Sequence, residues 1–112
     1  MASLQLLWWL IAGHFVADYQ FQSDTVAREK NRHSDTPLQK AVPWYYWLTS
    51  HAATHGVAVG LITGSAWLGM AETLAHWCID WAKCEKWTGI HVDQALHVAC
   101  KVAWVAILYA TH

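Results

Sequence analysis

The sequence predicts an all-α protein, a four-helix transmembrane bundle with both termini on the same side. Three observations predict it. Charged residues make up 13% of a chain that is 55% hydrophobic, against about 25% charged in a typical soluble domain. No Asp, Glu, Lys or Arg occurs between Ala41 and Ala71, a stretch longer than the roughly 20 apolar residues a span requires. Nine tryptophans suit a bilayer interface, where the indole ring is buried and its N–H stays wet. At 112 residues the chain is long enough for one domain, 1–112, and too short for two.

The first helix is expected over about 3–22. Its apolar run has no basic segment before it and no small-residue cleavage site after it, so it reads as part of the mature protein. A polar segment follows, punctuated by Pro37 and Pro43. It reads as a helical extension and then a loop, together 23–42. The uncharged stretch supplies the second helix, about 44–63, and a tight turn near Thr63–Gly69 leads to the third, about 66–83. The fourth, about 92–110, follows the turn at Trp87–Ile90. Arg28, Lys30, Arg32 and Lys40 fall between helices one and two, and Lys83 and Lys86 between three and four. The positive-inside rule makes that side cytoplasmic and puts both termini outside. The competing architecture is a soluble four-helix bundle with a polar core, against which the uncharged stretch is the main argument. Cys78, Cys84 and Cys100 form no CxxC pair and imply no disulfide framework.

Each helix carries one pair of ligand-type residues at i, i+4: His14 and Asp18, His51 and His55, His76 and Asp80, Asp93 and His97. Residues four apart share a helix face. In an alternating bundle all four pairs lie at one depth, in the cytoplasmic half. Ionisable groups inside spans are costly and face the bundle interior, so five His and three Asp are expected to converge. Imidazole with carboxylate suits Zn, Fe, Mn or Ni better than Ca or Mg. Zinc is the leading candidate, as one or two ions. A metal-free proton relay uses the same residue types. The pattern HxxxD then HxxxH, followed by HxxxD then DxxxH, hints at two related hairpins.

Gln22, Gln94 and Lys83 are placed at the same mouth, to orient ligands or bind substrate; Asp24 and Lys83 read as solvated near that surface, with Lys83, three residues past Asp80, also able to pair with it or meet an anionic headgroup. Cys84 and Cys100 lie at helical spacing from Asp80 and His97. Glu72 and Lys101 are each one turn further from the mouth than His76 and His97, and are expected to pair, because either alone is expensive in lipid. Trp8, Trp9, Trp44 and Trp47 are candidate interface anchors or oligomer contacts.

HFVADYQFQSD with Lys30-Asn31, the histidines at 51 and 55, HWCIDWAK at 76–83 and DQALH at 93–97 together resemble the small bacterial and phage membrane proteins grouped as domain of unknown function 3307. The resemblance spans about residues 5–105. It picks out His14, Asp18, Gln22, Asp24, His55, His76, Asp80, Lys83, Asp93, Gln94 and His97, and departs at Tyr19, where Phe is expected. It implies a shared site and a bacterial or phage inner-membrane origin, but no named chemistry. Small membrane-bound metal-dependent hydrolases also carry His and Asp pairs on hydrophobic helices, an analogy of residue type only.

The functional expectation is an inner-membrane metal-binding protein that hydrolyses a lipid or phosphate-containing substrate, with Asp18 or Asp93 as general base. The alternative is a non-catalytic membrane module whose His/Asp network holds short helices together and which acts through partners, in superinfection exclusion, lysis control or anti-defence. Metal or proton transport ranks third. Membrane lipids are the expected partners, with a homo-oligomer or a membrane protein as further candidates. A net charge of −1 argues against nucleic acid.

Overall fold

The structure is a computed structural model that describes residues 2–111; Met1 and His112, the ends of the expected domain, lie outside the described residues. It is all-helical, with no strand among the described residues. The long helices are α1 (Ser3–Phe15), α4 (Trp44–Thr63), α5 (Ala66–Cys84) and α6 (Ile90–Ala110). They form a ring in which α1 and α5 each pack between α4 and α6.

The α4–α5 hairpin is the tightest pairing, and its glycines explain why. Gly64 ends α4 in the left-handed region at φ 71°, where a side chain is disfavoured. Ser65 then caps α5, its Oγ accepting from the Leu68 amide at 3.2 Å. Further along, the two backbones touch. A Cβ on Gly56 would lie 2.7 Å from the Gly69 carbonyl, and one on Gly69 would lie 2.8 Å from the Gly56 carbonyl. Only hydrogen fits at that crossing, one residue from His55.

The first helix departs from the expected regular 3–22. After Phe15 the chain winds into a π-helix, Val16–Gln20, in which the Phe21 amide donates to the Val16 carbonyl, five residues back, at 3.0 Å. Such wide turns cluster at functional sites, and Asp18 lies at the centre of this one. The Gln22 side chain donates to the Asp18 carbonyl at 3.2 Å, satisfying a group that the altered winding leaves exposed.

The polar segment 23–42 is more structured than a loop. It contains α2 (Asp24–Glu29), a 3₁₀ turn (Arg32–Ser34) and α3 (Leu38–Ala41). Ser23 caps α2. Gln39 donates to the carbonyls of both Glu29 and Asn31 at 2.9 Å, and Thr36 donates to the buried Glu29 carboxylate. This folded segment packs on α4 and turns one basic residue inward. Lys30, expected among the loop charges, is 3% exposed. Lys83 also turns inward, leaving Arg28, Arg32, Lys40 and Lys86 as exposed basic residues at this end.

The interior divides along its length. At the end remote from the polar segment, Leu6, Leu10, Val59 and Leu68 pack with Ile62, Trp104, Val105 and Leu108. Towards the other end the same helix faces become His, Asp, Glu and Lys. Among the described residues one helix, Ile90–Ala110, is long and apolar enough to cross a membrane by length and composition. The three cysteines are free thiols: Cys84 is buried, Cys78 exposed and Cys100 between.

Candidate metal centre

The four i, i+4 pairs do meet, and they fall into layers. At the centre lie the imidazoles. The His76 ring stacks on His55, with centroids 3.7 Å apart, and on His97 at 4.2 Å. His14 lies 4.9 Å from His97 and 5.2 Å from His55, and His51 lies 5.0 Å from His55 and from His76. All five are buried. Five imidazoles this close cannot all be charged without strong mutual repulsion.

Asp18 joins this layer from the π-helix. Its Oδ1 lies 3.2 Å from His51 Nε2 and 3.4 Å from His55 Nε2. Its Oδ2 accepts from Gln94 Nε2 at 3.0 Å and stands 3.8 Å from His14 Nε2. Gln94 is therefore a bridge, since its Oε1 also meets His14 Nε2 at 2.9 Å.

Two donor groups have the spacing to hold a metal ion. In Asp18, His51, His55 and His76, one ligand atom from each lies within 4.8 Å of the others; the same is true of His14, His76 and His97. Three imidazoles with a carboxylate, and three imidazoles alone, are both transition-metal donor sets. Among the described residues, both ring nitrogens of His76 and the Nδ1 atoms of His14 and His97 are buried without a hydrogen-bond partner. Each such orphan costs about 1–3 kcal/mol, so the pattern fits a bound cation better than a metal-free core. The composition of the two groups does not select zinc over its neighbours.

Asp80 and Asp93 lie in the next layer, outside both donor groups. Lys30 Nζ donates to Asp80 Oδ2 at 2.7 Å and also to Gln22. Lys83 Nζ spans the two carboxylates, 3.5 Å from Asp80 and 3.4 Å from Asp93. Asp80 still reaches His51 at 3.6 Å, and Asp93 reaches His97 at 3.5 Å. These aspartates meet lysines on one side and orient histidines on the other, the usual position for groups that tune ligands. Beyond them, Arg32 and His33 both engage Glu85 and close the surface. Asp24 is exposed, in the first turn of α2.

On the opposite side of the imidazole layer, Lys101 Nζ donates to Glu72, with both residues fully buried. Lys30 is the residue that spacing arguments miss. It lies outside the long helices, so no helical period marks it. The available signal is its place in the quoted Lys30-Asn31 motif.

The model of a family described as Protein of unknown function (DUF3307) matches residues 6–112, nearly the whole chain, and the chain belongs to that family. No curated protein and no solved structure matches it.

Proposed function

We propose that this family member is a multi-pass protein of the bacterial inner membrane. Its four long helices span the bilayer, and it binds a divalent transition metal, zinc the leading candidate, in the cytoplasmic half of the bundle. The observation that carries the reading is an inverted distribution of polarity. Among the described residues twelve buried ones are polar or charged, against eight buried hydrophobic ones, while Leu61, Trp67, Leu4 and Phe21 are each more than 70% exposed. Soluble domains bury apolar groups and keep Asp, Glu and Lys outside. A membrane protein can do the reverse, because lipid solvates the apolar exterior.

By length, hydropathy and charge together only α6 qualifies among the described residues: α1 has 13 residues and reaches a spanning length only with the π-helical turn that follows it, and α5 is marked down by its charges. The charges of α5 include Glu72, Asp80 and Lys83, all of which turn towards partners in the interior. Helix α4 carries none, and its 20 residues extend about 30 Å, the thickness of a hydrocarbon core. Trp44, Trp47, Trp77, Trp81 and Trp87 fall towards the metal-side end of their helices and Trp67 at the opposite end, positions that suit an aromatic belt. The exposed Arg28, Arg32, Lys40 and Lys86 make the metal-side end cytoplasmic.

The reaction class that fits is hydrolysis of a phosphate-bearing lipid or related phosphate at headgroup level. A bound metal supplies a water of lowered pKa. Both oxygens of Asp18 are engaged by His51, His55 and Gln94, whereas on Asp93 Gln94 donates to Oδ2 and Oδ1 has no hydrogen-bond partner among the described residues, so Asp93 is the better general base. Lys83, the least buried of the three inward lysines, is placed to meet an anionic group. A non-catalytic module is the second reading, favoured by the lysine partners of Asp80 and Asp93 and by the burial of the donors.

The test is to purify the full chain from membranes in mild detergent and measure bound metal by plasma mass spectrometry. A His51→Ala/His55→Ala double variant serves as control, and both proteins are assayed on phospholipids and isoprenoid phosphates. Metal lost in the variant together with phosphate release supports the full reading. Metal without turnover on any phosphate substrate moves the protein to the second reading. A folded wild-type protein that takes up no metal overturns both metal readings, and recovery in the soluble fraction overturns the membrane one.

A further inference from the structure

Resting on the metal-binding reading, we propose that Lys30 sets the metal preference of the site. It holds Asp80 back from an ion bound beside Asp18, His51 and His55, and so keeps the donors rich in nitrogen.

The position of Asp80 calls for such a restraint. Its Oδ2 lies 3.6 Å from His51 Nε2. Asp18 Oδ1, a donor-group atom, lies 3.2 Å from the same nitrogen and 3.4 Å from His55 Nε2. Two donors on one ion, each about 2 Å from it, stand about 3–4 Å apart. Asp80 is therefore as near to His51 as a ligand would be, yet it belongs to neither donor group. Lys30 supplies the reason. Its Nζ donates to that same Oδ2 at 2.7 Å, with both side chains buried. An ammonium on that oxygen takes the place a metal ion would take, and it repels a cation that approaches. Lys83 does not duplicate this. It stands 3.5 Å from the other oxygen, Oδ1, which has no hydrogen-bond partner among the described residues.

The segment around Lys30 is built to hold it. Gln39 Nε2 donates at 2.9 Å to the carbonyls of Glu29 and Asn31, the residues on either side. Ser34 Oγ donates to the Arg28 carbonyl at 2.7 Å, and the Lys30 amide donates to the Val26 carbonyl at 3.0 Å. The backbone is thus clamped from Arg28 to Asn31, and one long side chain passes inward from it. Its Nζ also donates to Gln22, whose amide holds the Asp18 carbonyl at 3.2 Å. One ammonium therefore keeps Asp80 outside the donor group and steadies the turn that brings Asp18 into it. Imidazole-rich donors suit zinc, whereas carboxylate-rich donors suit manganese and magnesium. Without Lys30, Asp80 joins the ion, a second carboxylate enters the donor set, and the preference moves from zinc towards manganese.

The experiment titrates the full chain in detergent with Zn(II), Mn(II) and Co(II). Zinc affinity is read by competition with a zinc-sensitive dye, manganese affinity by electron paramagnetic resonance of the free ion, and coordination by the visible absorption of the cobalt form. Lys30→Met should lose zinc affinity by about tenfold, gain manganese affinity, and show the weaker absorption of a higher-coordinate cobalt ion. Lys30→Met/Asp80→Asn has no carboxylate to release, so its zinc-to-manganese ratio should return towards the wild-type value. Gln39→Ala loosens the clamp without touching Lys30 or a donor, and should shift the ratio the same way by less. If Lys30→Met fails to fold, Gln39→Ala decides the matter alone. An unchanged ratio, an equal loss of both metals, or a shift that persists without the Asp80 carboxylate overturns the proposal and leaves the metal reading standing. No metal in a folded wild-type protein overturns both.

Discussion

The two halves of the bundle core are built on the same helix faces and differ only in chemistry. Along α1 and the π-helix after it the buried positions include Leu6, Leu10, His14 and Asp18, and along α5 they include Leu68, Glu72, His76 and Asp80. The apolar half is held by contact, and the one polar atom in its cluster without a hydrogen-bond partner among the described residues is Trp104 Nε1. In the polar half each group needs a partner of stated charge and direction, and several imidazole nitrogens have none among the described residues. The apolar half therefore holds the fold together, and the polar half makes it depend on what binds.

The Glu72–Lys101 pair sits at the boundary between the halves and should give the largest effect. Glu72→Leu leaves a buried ammonium without its carboxylate, which costs about 3–5 kcal/mol. Glu72→Leu/Lys101→Met extends the apolar half by one layer and should recover most of that loss. Thermal melts in detergent, followed by circular dichroism, compare the two. If the single variant melts like the wild type, the pair contributes nothing and the boundary lies elsewhere.

The next prediction separates the halves by their response to metal. Leu10→Ala removes a fully buried side chain and should cost about 2–5 kcal/mol whether or not metal is present. His51→Ala/His55→Ala should change metal-free stability less, and should abolish the gain of about 3 kcal/mol expected at a metal concentration one hundred times Kd. Melting each protein with and without added zinc reads both effects. Equal zinc responses in wild type and double variant would erase the distinction.

Much of this division is legible in the sequence. Four i, i+4 pairs at corresponding depths place a polar layer, because helical period fixes direction. The Trp44–Thr63 span matches the expected 44–63 because Pro43 and Gly64 bound it. Three features are not legible in this way. The π-helix at Val16–Gln20 changes the winding without a residue that announces it, and it sets where Asp18 points. Lys30 enters from outside the long helices, on a folded segment whose course depends on contacts among Glu29, Thr36 and Gln39. The sorting of carboxylates also escapes the spacing. Asp18 meets histidines and Gln94, whereas Asp80 and Asp93, beside His51 and His97, also meet lysines, and this depends on where the long Lys30 and Lys83 side chains reach.

A smaller effect is expected at the hairpin contact that brings His55 to His76. Gly69→Ala puts a methyl group 2.8 Å from the Gly56 carbonyl, so the helices must separate by a few tenths of an ångström or more. Overpacking of this kind costs about 1–3 kcal/mol. Its metal affinity should fall further than that of Gly89→Ala, which meets nothing within 4 Å. Competition against a zinc-sensitive dye measures this. Equal affinities would mean that backbone contact in α4–α5 does not set the donor spacing.

The smallest effect belongs to the surface closure and depends on pH. Hydrogen bonds from Arg32 and then His33 hold the Glu85 carboxyl down at about 2, below its usual 4.5. A carboxyl whose folded-state value is depressed adds stability that is fully present above the unfolded value, here about 4.5. That stability is lost as pH falls through about 2. Arg32→Gln removes the main cause, so the wild type should melt above the variant at pH 6, and the gap should narrow between pH 4.5 and 2. Because these groups are solvent-screened, the gap should be small and should shrink in high salt. A gap that widens with acid would mean that Arg32 acts on the polar half by some route other than Glu85, and the layer would then belong to the site it covers.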